Sequence, residues 1–294
     1  MSIAGQARAP VLHYVRLTDI EIAIEAARRG ATVLLGYWER IGKEQADLKA
    51  RNDWVSAADR ESEAAINEFL AQERPADATL GEETGSSGAS TNRRTWIIDP
   101  LDGTSNYLQH FPIWSVSIAL KQGEEIVAGV VHEPLRDLFF TAERGAGAFR
   151  ETGGIAQPIR VSDQQKVEAS FLTTGFPFRA QQYVGIYTNI FRDIIMVAKG
   201  VRRPGSAALD LAYTAAGVFD GFFEMHLASW DVAAGSLLVT EAGGTISDFS
   251  GGDRWLSRGN IIGAPPAVHA ELLNIINRYV GEDELDHRGR QASA

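Results

Sequence analysis

An apolar run, Trp96-Ile97-Ile98, stops abruptly at Asp99-Pro100-Leu101-Asp102-Gly103-Thr104. With Pro100 at the second position of a turn, Asp99 and Asp102 become its first and last residues, whose α-carbons lie within about 7 Å. Hard divalent cations take carboxylate, carbonyl and water oxygens. Two of them about 3.5 to 4 Å apart clamp the attacking and leaving oxygens of an in-line phosphoryl displacement. The Leu101 carbonyl is a further oxygen of this kind, and the amides of Gly103 and Thr104, if they open a short helix, form a cradle for phosphate oxygens. The alternative is a surface turn carrying two solvated acids, since Asp, Pro and Gly are what turns are made of.

Three more acids invite the same question, and each has a plain structural reading. Glu82, in Gly81-Glu82-Glu83-Thr84, follows a short apolar segment and sits either at a strand end or in an ordinary loop. Asp231 stands between Trp230 and Val232-Ala233-Ala234, where an N-cap is expected. Asp59 opens the second helix, where an acid meets the macrodipole favourably.

The elements that must position these acids follow from periodicity. Thr18 and Glu21 form a capping box before Ile20, Ile24, Ala27, Ala31, Leu34 and Trp38, which recur at helical spacing. A second helix starts near Ser56 or Asp59, ends before Pro75 and buries Ile66, Phe69 and Leu70. Strands are expected at Trp96 to Ile98, Ser115 to Leu120, Ile126 to Val131 and Leu138 to Thr141. After Gly153 and Gly154 the pattern changes to helices at Ser206 to Val218, Asp231 to Ala242 and Pro266 to Val280. Between or after these helices come strands near Phe222 to Glu224, Thr245 to Phe249 and Asn260 to Ala264. The expected organisation is an α/β chain in two parts with the site between them. An antiparallel-sheet half with two long helices and most of the acids spans 1–153, a smaller half spans 154–281, and a polar, flexible tail covers 282–294.

Composition narrows the chemistry. With 28 Lys and Arg against 38 Asp and Glu, a formal charge of −10, the chain lacks the basic footprint of a nucleic-acid binder, and no direct nucleic-acid contact is expected. Bound cations would still let it attract a phosphate dianion. The absence of cysteine removes thiolate nucleophiles, thiolate metal sites and disulfides. No stretch of about 20 apolar residues and no signal-type core is evident, which gives a cytoplasmic reading. An aspartyl-phosphate mechanism wants acids separated by one residue, whereas two stand between Asp99 and Asp102. The six histidines are scattered outside any nucleophile motif, and G-x-S-x-G is missing.

Taken jointly and in order, these acids and their surroundings resemble the inositol monophosphatase family of magnesium-dependent, lithium-sensitive phosphatases, most of all its bacterial inositol-1-monophosphatase branch. The likeness rests on Asp99 to Asn106, on Gly81-Glu82-Glu83, and on Trp230-Asp231-Val232-Ala233-Ala234-Gly235 running into Glu241-Ala242-Gly243-Gly244. It extends through Asn52 to Asp59, Thr174-Gly175-Phe176-Pro177-Phe178-Arg179 and Arg202 to Leu211, about residues 18 to 280 in all.

The resemblance implies a layered αβαβα sandwich of the inositol monophosphatase and fructose-1,6-bisphosphatase type. It implies two or three Mg²⁺ ions on Glu82, Asp99, the Leu101 carbonyl, Asp102 and Asp231, with phosphate on the turn at Gly103 and Thr104. Asp59 and Thr104 match positions that orient the attacking water, with Glu82 beside them in the catalytic group. Glu224 matches a contact to the substrate alcohol. Arg202, Gly205, Ser206 and Ala207 would line the substrate side, which Asp102 and Asp231 also face. The implied substrate is myo-inositol 1-phosphate, with fructose 1,6-bisphosphate, histidinol phosphate and 3′-phosphoadenosine 5′-phosphate as alternatives. A homodimer and a transcription-machinery partner are also implied. Ser56, Ser105 and Thr84 depart mildly from the pattern, and none of the three removes a metal oxygen.

Overall fold

The computed structural model describes residues 17–43, 48–88, 93–178 and 180–281, so the tail expected at 282–294 lies outside the described residues. The capping box forms as expected, with the Thr18 amide donating to Glu21 Oε2 at 2.8 Å and the Glu21 amide to Thr18 Oγ1 at 3.4 Å. It opens α1 (Asp19–Lys43). Helix α2 (Leu48–Glu73) begins well before Ser56, because Leu48-Lys49-Ala50-Arg51 are all good helix formers and nothing among them stops the helix. Asp59 therefore lies in mid-helix, and the macrodipole reading of it is overturned.

The first sheet has eight strands: β1 (Ala78–Gly81), β2 (Gly85–Ser87), β3 (Arg94–Asp102), β4 (Ser115–Gln122), β5 (Glu125–Glu133), β6 (Leu138–Glu143), β7 (Gly147–Thr152) and β8 (Ile155–Pro158). Their order is β2-β1-β3-β4-β5-β6-β7-β8. A short helix, α3 (Thr104–Leu108), follows β3. The sheet is mixed rather than wholly antiparallel, since β1 runs parallel to β3. Gly153 and Gly154 turn the β7–β8 hairpin, so the change of pattern at residue 153 falls inside this sheet and not at its border.

The remaining elements are β9 (Phe171–Thr174), α4 (Val184–Ile195), β10 (Gly200–Arg202), α5 (Ala207–Ala215), β11 (Gly221–Glu224), α6 (Ser229–Glu241), β12 (Thr245–Ser247), α7 (Trp255–Arg258), β13 (Ile261–Ala264) and α8 (Pro266–Ile276). The five strands form a second sheet in the order β10-β9-β11-β13-β12.

Strand alternation builds the layers. Trp96 and Ile98 pack with α1 and α2, while Ile97 between them faces α5 and α6. In the second sheet Phe222 and Ile261 join that same α5–α6 layer, whereas Phe223 and Ile262 face α4 and α8. The result is an α/β sandwich of five layers, αβαβα, with α5 and α6 buried between the two sheets.

One core residue gives this packing a pH dependence. His132 on β5 is buried and stacked on Phe139 at 3.7 Å. Burial, reinforced by the Arg28 guanidinium, lowers its pKa from 6.5 to about 3, with Asp137 Oδ1 3.9 Å away. The folded chain keeps this ring neutral while the unfolded chain protonates it, so its stabilising contribution is full above pH 6.5 and is lost as pH falls toward 3. His132→Phe should make the loss of stability between pH 7 and pH 5 about 2 kcal/mol smaller in urea unfolding. An unchanged difference would contradict this assignment.

Candidate active site

Asp99 and Asp102 are not ends of an exposed turn. Both are buried, 1% and 9% exposed, on the last residues of β3. Pairing with β4 runs Asp99 to Ser117 and then Asp102 to Ser115, so β3 carries one extra residue and bulges there. Pro100, which cannot donate to the ladder, sits in the bulge, and the Leu101 amide turns back to Asp99 Oδ1 at 3.0 Å. Gly103 ends the strand in the left-handed conformation, φ 95°, and caps α3. A side chain at 103 would also stand 3.0 Å from the Ile113 carbonyl. The Thr104 hydroxyl donates to the Leu101 carbonyl at 3.1 Å. The first α3 amides have no carbonyl of their own helix to bond.

Glu82 reaches the same place from β1. Parallel pairing sets Gly81 opposite Ile98, and the Glu82 amide donates to the Ile98 carbonyl at 3.2 Å, which puts Glu82 beside Asp99. Glu63 on α2, fully buried, accepts from the amides of Glu83 and Thr84 and from the Thr84 hydroxyl, fixing that turn. Asp59, one helical turn before Glu63, is buried behind Glu82, outside the cavity lining, and its Oδ1 has no hydrogen-bond partner. From the other side, α6 begins at Ser229, so Asp231 is its third residue rather than its N-cap, and Oδ2 accepts from the Ala228 amide at 2.6 Å. The Ser117 hydroxyl donates to the Trp230 carbonyl at 3.3 Å, tying this helix end to β4.

These segments enclose a cavity of about 240 Å³. Its lining includes Glu82, Asp99, Leu101, Asp102, Gly103, Thr104, Gly205, Ser206, Ala207, Glu224 and Asp231, as expected from the sequence. Ser206 caps α5 by accepting from the Leu209 amide, and its hydroxyl donates to Asp102 Oδ2 at 2.5 Å. The Ala208 amide donates to the same oxygen at 2.8 Å. Glu224, at the end of β11, fits because residue 175 is glycine: a Cβ there would stand 1.9 Å from Glu224 Oε1.

Arg202 is the exception among the expected residues. As the last residue of β10 it is exposed, its guanidinium 4.6 Å over the Phe171 ring, and it does not line the cavity. The next residue, Arg203, lines the cavity instead, held over Phe178 and Phe176 at 5.3 and 5.7 Å. Asp210, a buried acid in the first turn of α5, also lines it. The sequence signal for Asp210 was an acid inside the apolar run Ala207-Ala208-Leu209-Asp210-Leu211-Ala212.

Crowding of acids dominates the electrostatics. Burial, with Glu82, Asp102 and Asp231 nearby, raises Asp99 well above the usual carboxylate range. Burial and Asp231 push Asp102 to about 7 against the opposing bonds from Ser206, Ala208 and Ala207. Asp59 rises to about 8 through burial and Glu82, and Glu224 to about 8 through burial and Asp231. Buried carboxylates without a paired cation are costly, and hard divalent ions are what such a set of oxygens suits. Among the described residues no three side chains already converge at metal-binding distance. Asp102 and Asp231 are bonded instead to the amides and hydroxyl described above.

This fold and site define a class of protein: residues 17–280 match the inositol monophosphatase family, to which the chain belongs. Relatives include the Nus factor SuhB of Pasteurella multocida, 39% identical over 90% of this chain and 97% of its own length. The Nus factor SuhB of Escherichia coli K12 is 41% identical over 87% and 95%. Among solved structures, the extragenic suppressor protein suhB of Bartonella henselae superposes with a TM-score of 0.80 at 38% identity, covering 88% of this chain and 98% of that one. The inositol monophosphatase of Anabaena gives 0.79 at 34%, covering 90% and 97%.

Proposed function

We propose that this chain hydrolyses small phosphate monoesters in a Mg²⁺-dependent reaction, with myo-inositol 1-phosphate as substrate and no phosphoenzyme. The observation that carries this reading is the meeting of Glu82, Asp99, Asp102 and Asp231, brought from β1, β3 and α6, with the Leu101 carbonyl and the α3 amides around one cavity. Those five residues would hold two or three Mg²⁺ ions. Bound there, the ions would neutralise phosphate charge and make water a stronger nucleophile. The amides of Gly103 and Thr104 bind phosphate oxygens, the Thr104 hydroxyl orients water, and Asp59, outside the cavity lining, bears on that water through its neighbour Glu82. Glu224 accepts a hydroxyl of the leaving alcohol, whose path is walled by Gly205, Ser206 and Ala207.

The test is phosphate release from inositol 1-phosphate, fructose 1,6-bisphosphate, histidinol phosphate and 3′-phosphoadenosine 5′-phosphate, with Mg²⁺ titrated and Li⁺ added. The expected result is Mg²⁺-dependent, Li⁺-inhibited turnover with preference for inositol 1-phosphate. Preference for one of the other three would reassign the substrate, and silence across the panel would sink the enzymatic reading.

A second reading is favoured by the name Nus factor carried by relatives near 40% identity. It holds that the chain also binds the transcription machinery as a protein partner. Capture of RNA polymerase by a catalytically dead variant supports it, and no capture argues against it. A homodimer is proposed as well, to be read by light scattering. Among the described residues no helix is long and apolar enough to cross a membrane. We place the chain in the cytoplasm.

A further inference from the structure

The helix face behind the site carries two polar side chains that stand back from the cavity. Ser62 and Glu63 follow Asp59 by three and four residues on α2, so all three share one face of that helix. Ser62 and Glu63 have no solvent exposure, and neither lines the cavity. Each grips a different segment of the first sheet. The Ser62 hydroxyl donates to the Pro100 carbonyl at 3.4 Å, inside the bulge between Asp99 and Asp102. Glu63 Oε2 accepts from the Glu83 amide at 2.9 Å and Oε1 from the Thr84 amide at 3.1 Å, with the Thr84 hydroxyl on Oε1 as well. Gly81 lets the strand end come this close, since a Cβ there would collide with the Glu63 carboxyl.

Packing alone gives no reason for an acid at 63. Its three donors are neutral, and burying a carboxyl among them costs more than filling the place with an apolar side chain. Position supplies a reason. Glu82 is held on its strand side by its own amide, which donates to the Ile98 carbonyl at 3.2 Å, and on its other side by the bonds of Glu63 to residues 83 and 84. Glu82 acts on Asp99 as a like charge, which pushes the turn carrying Glu82 outward until a cation sits between the two. By gripping both segments, α2 opposes that opening.

We infer that Glu63, backed by Ser62, is a positioning residue that presets Glu82 against Asp99 and thereby sets the affinity of the site for Mg²⁺. It touches neither ion nor substrate. The inference deepens the phosphatase reading and rests on its metal ligands. Asp102 and Asp231 are held by other bonds, from Ser206, Ala208 and Ala228, so the effect of Glu63 runs through Glu82.

The experiment measures Mg²⁺ binding to the free protein by isothermal titration calorimetry, beside phosphate release from inositol 1-phosphate with Mg²⁺ titrated. Glu63→Gln keeps the shape of the side chain but turns one acceptor into a donor, and it should weaken Mg²⁺ binding about 10- to 100-fold. The Mg²⁺ needed for half-maximal release should rise by the same factor, with kcat at saturating Mg²⁺ within about threefold of wild type and KM for the ester unchanged. In a Glu82→Gln background, Glu63→Gln should weaken binding no further. Thr84→Val, which removes one donor at an exposed residue, should weaken binding about fivefold, while Thr84→Ser binds as wild type does. Affinity within about twofold of wild type in Glu63→Gln, whatever its stability in urea, or full additivity with Glu82→Gln, would leave Glu63 a structural residue and overturn the proposal. If Glu63→Gln does not fold, equal affinities in Thr84→Val and Thr84→Ser would overturn it. Wild type that binds Mg²⁺ in the calorimeter yet releases no phosphate would remove the phosphatase reading, while the calorimetric shifts still decide this one.

Discussion

Asp102→Asn is expected to slow phosphate release about 10³-fold at saturating Mg²⁺, the effect of removing several kcal/mol of charge stabilisation from a transferring phosphoryl group. The residue has two tasks. Its carboxylate faces the cavity between Asp99 and Asp231, and Oδ2 also takes the Ser206 hydroxyl and the Ala208 amide. Those two bonds join the end of β3 to the start of α5, and so join the first sheet to the layer between the sheets. An amide nitrogen in place of Oδ2 accepts from neither donor; the Ser206 hydroxyl can turn to accept instead but the Ala208 amide is left unpaired, so the variant should also lose about 1.5 to 3 kcal/mol of stability. Steady-state kinetics with Mg²⁺ titration, paired with urea unfolding, separates the two effects. Wild-type turnover at low Mg²⁺ would show that Asp102 is not a metal ligand.

Asp248→Ala should destabilise the fold by about 3 to 5 kcal/mol without touching the cavity. Asp248 has no solvent exposure, and its Oδ1 accepts the Ser250 amide at 2.9 Å, the Ser250 hydroxyl at 2.6 Å and the Gly252 amide at 2.8 Å. Its Oδ2 meets Arg258 Nη1 at 3.2 Å, and Arg258 is itself buried. Removing the carboxylate takes the Asp248 charge away from a buried guanidinium and frees three donors at once. The unfolding midpoint in urea should drop sharply, while kcat at a temperature where the variant is folded stays within about twofold of wild type. A midpoint within error of wild type would mean that the loop between β12 and α7 relaxes to let water reach the arginine.

How much of this was legible in the sequence depended on how local the cause was. Thr18 and Glu21 declare a helix start because both partners lie within one turn, and they form it. The acids at 82, 99, 102 and 231 were identified through neighbours in sequence, and all four line the cavity. The bulge at Pro100 was not legible as a bulge, because it exists only in the pairing of Asp99 and Asp102 with Ser117 and Ser115 on another strand. Arg202 and Arg203 differ by one residue, and which of them faces the cavity is settled only where β10 ends. Strand β8, Ile155-Ala156-Gln157-Pro158, is exposed along its whole length and so offers no apolar alternation to read. Helix α4 did carry a signal in Tyr187, Ile190 and Ile194, which are buried at helical spacing. Asp59 was misplaced because α2 extends back to Leu48, and its burial behind Glu82 follows from that longer helix.

The central claim is that the oxygens of Glu82, Asp99, Leu101, Asp102 and Asp231 serve metal-dependent hydrolysis of a phosphate monoester. The direct measurement is phosphate release from inositol 1-phosphate by protein stripped with a chelator and then titrated with Mg²⁺. The account predicts no release before Mg²⁺, saturable recovery on its addition, and no recovery in Asp99→Asn. Turnover that persists in excess chelator, or none at saturating Mg²⁺, would contradict it.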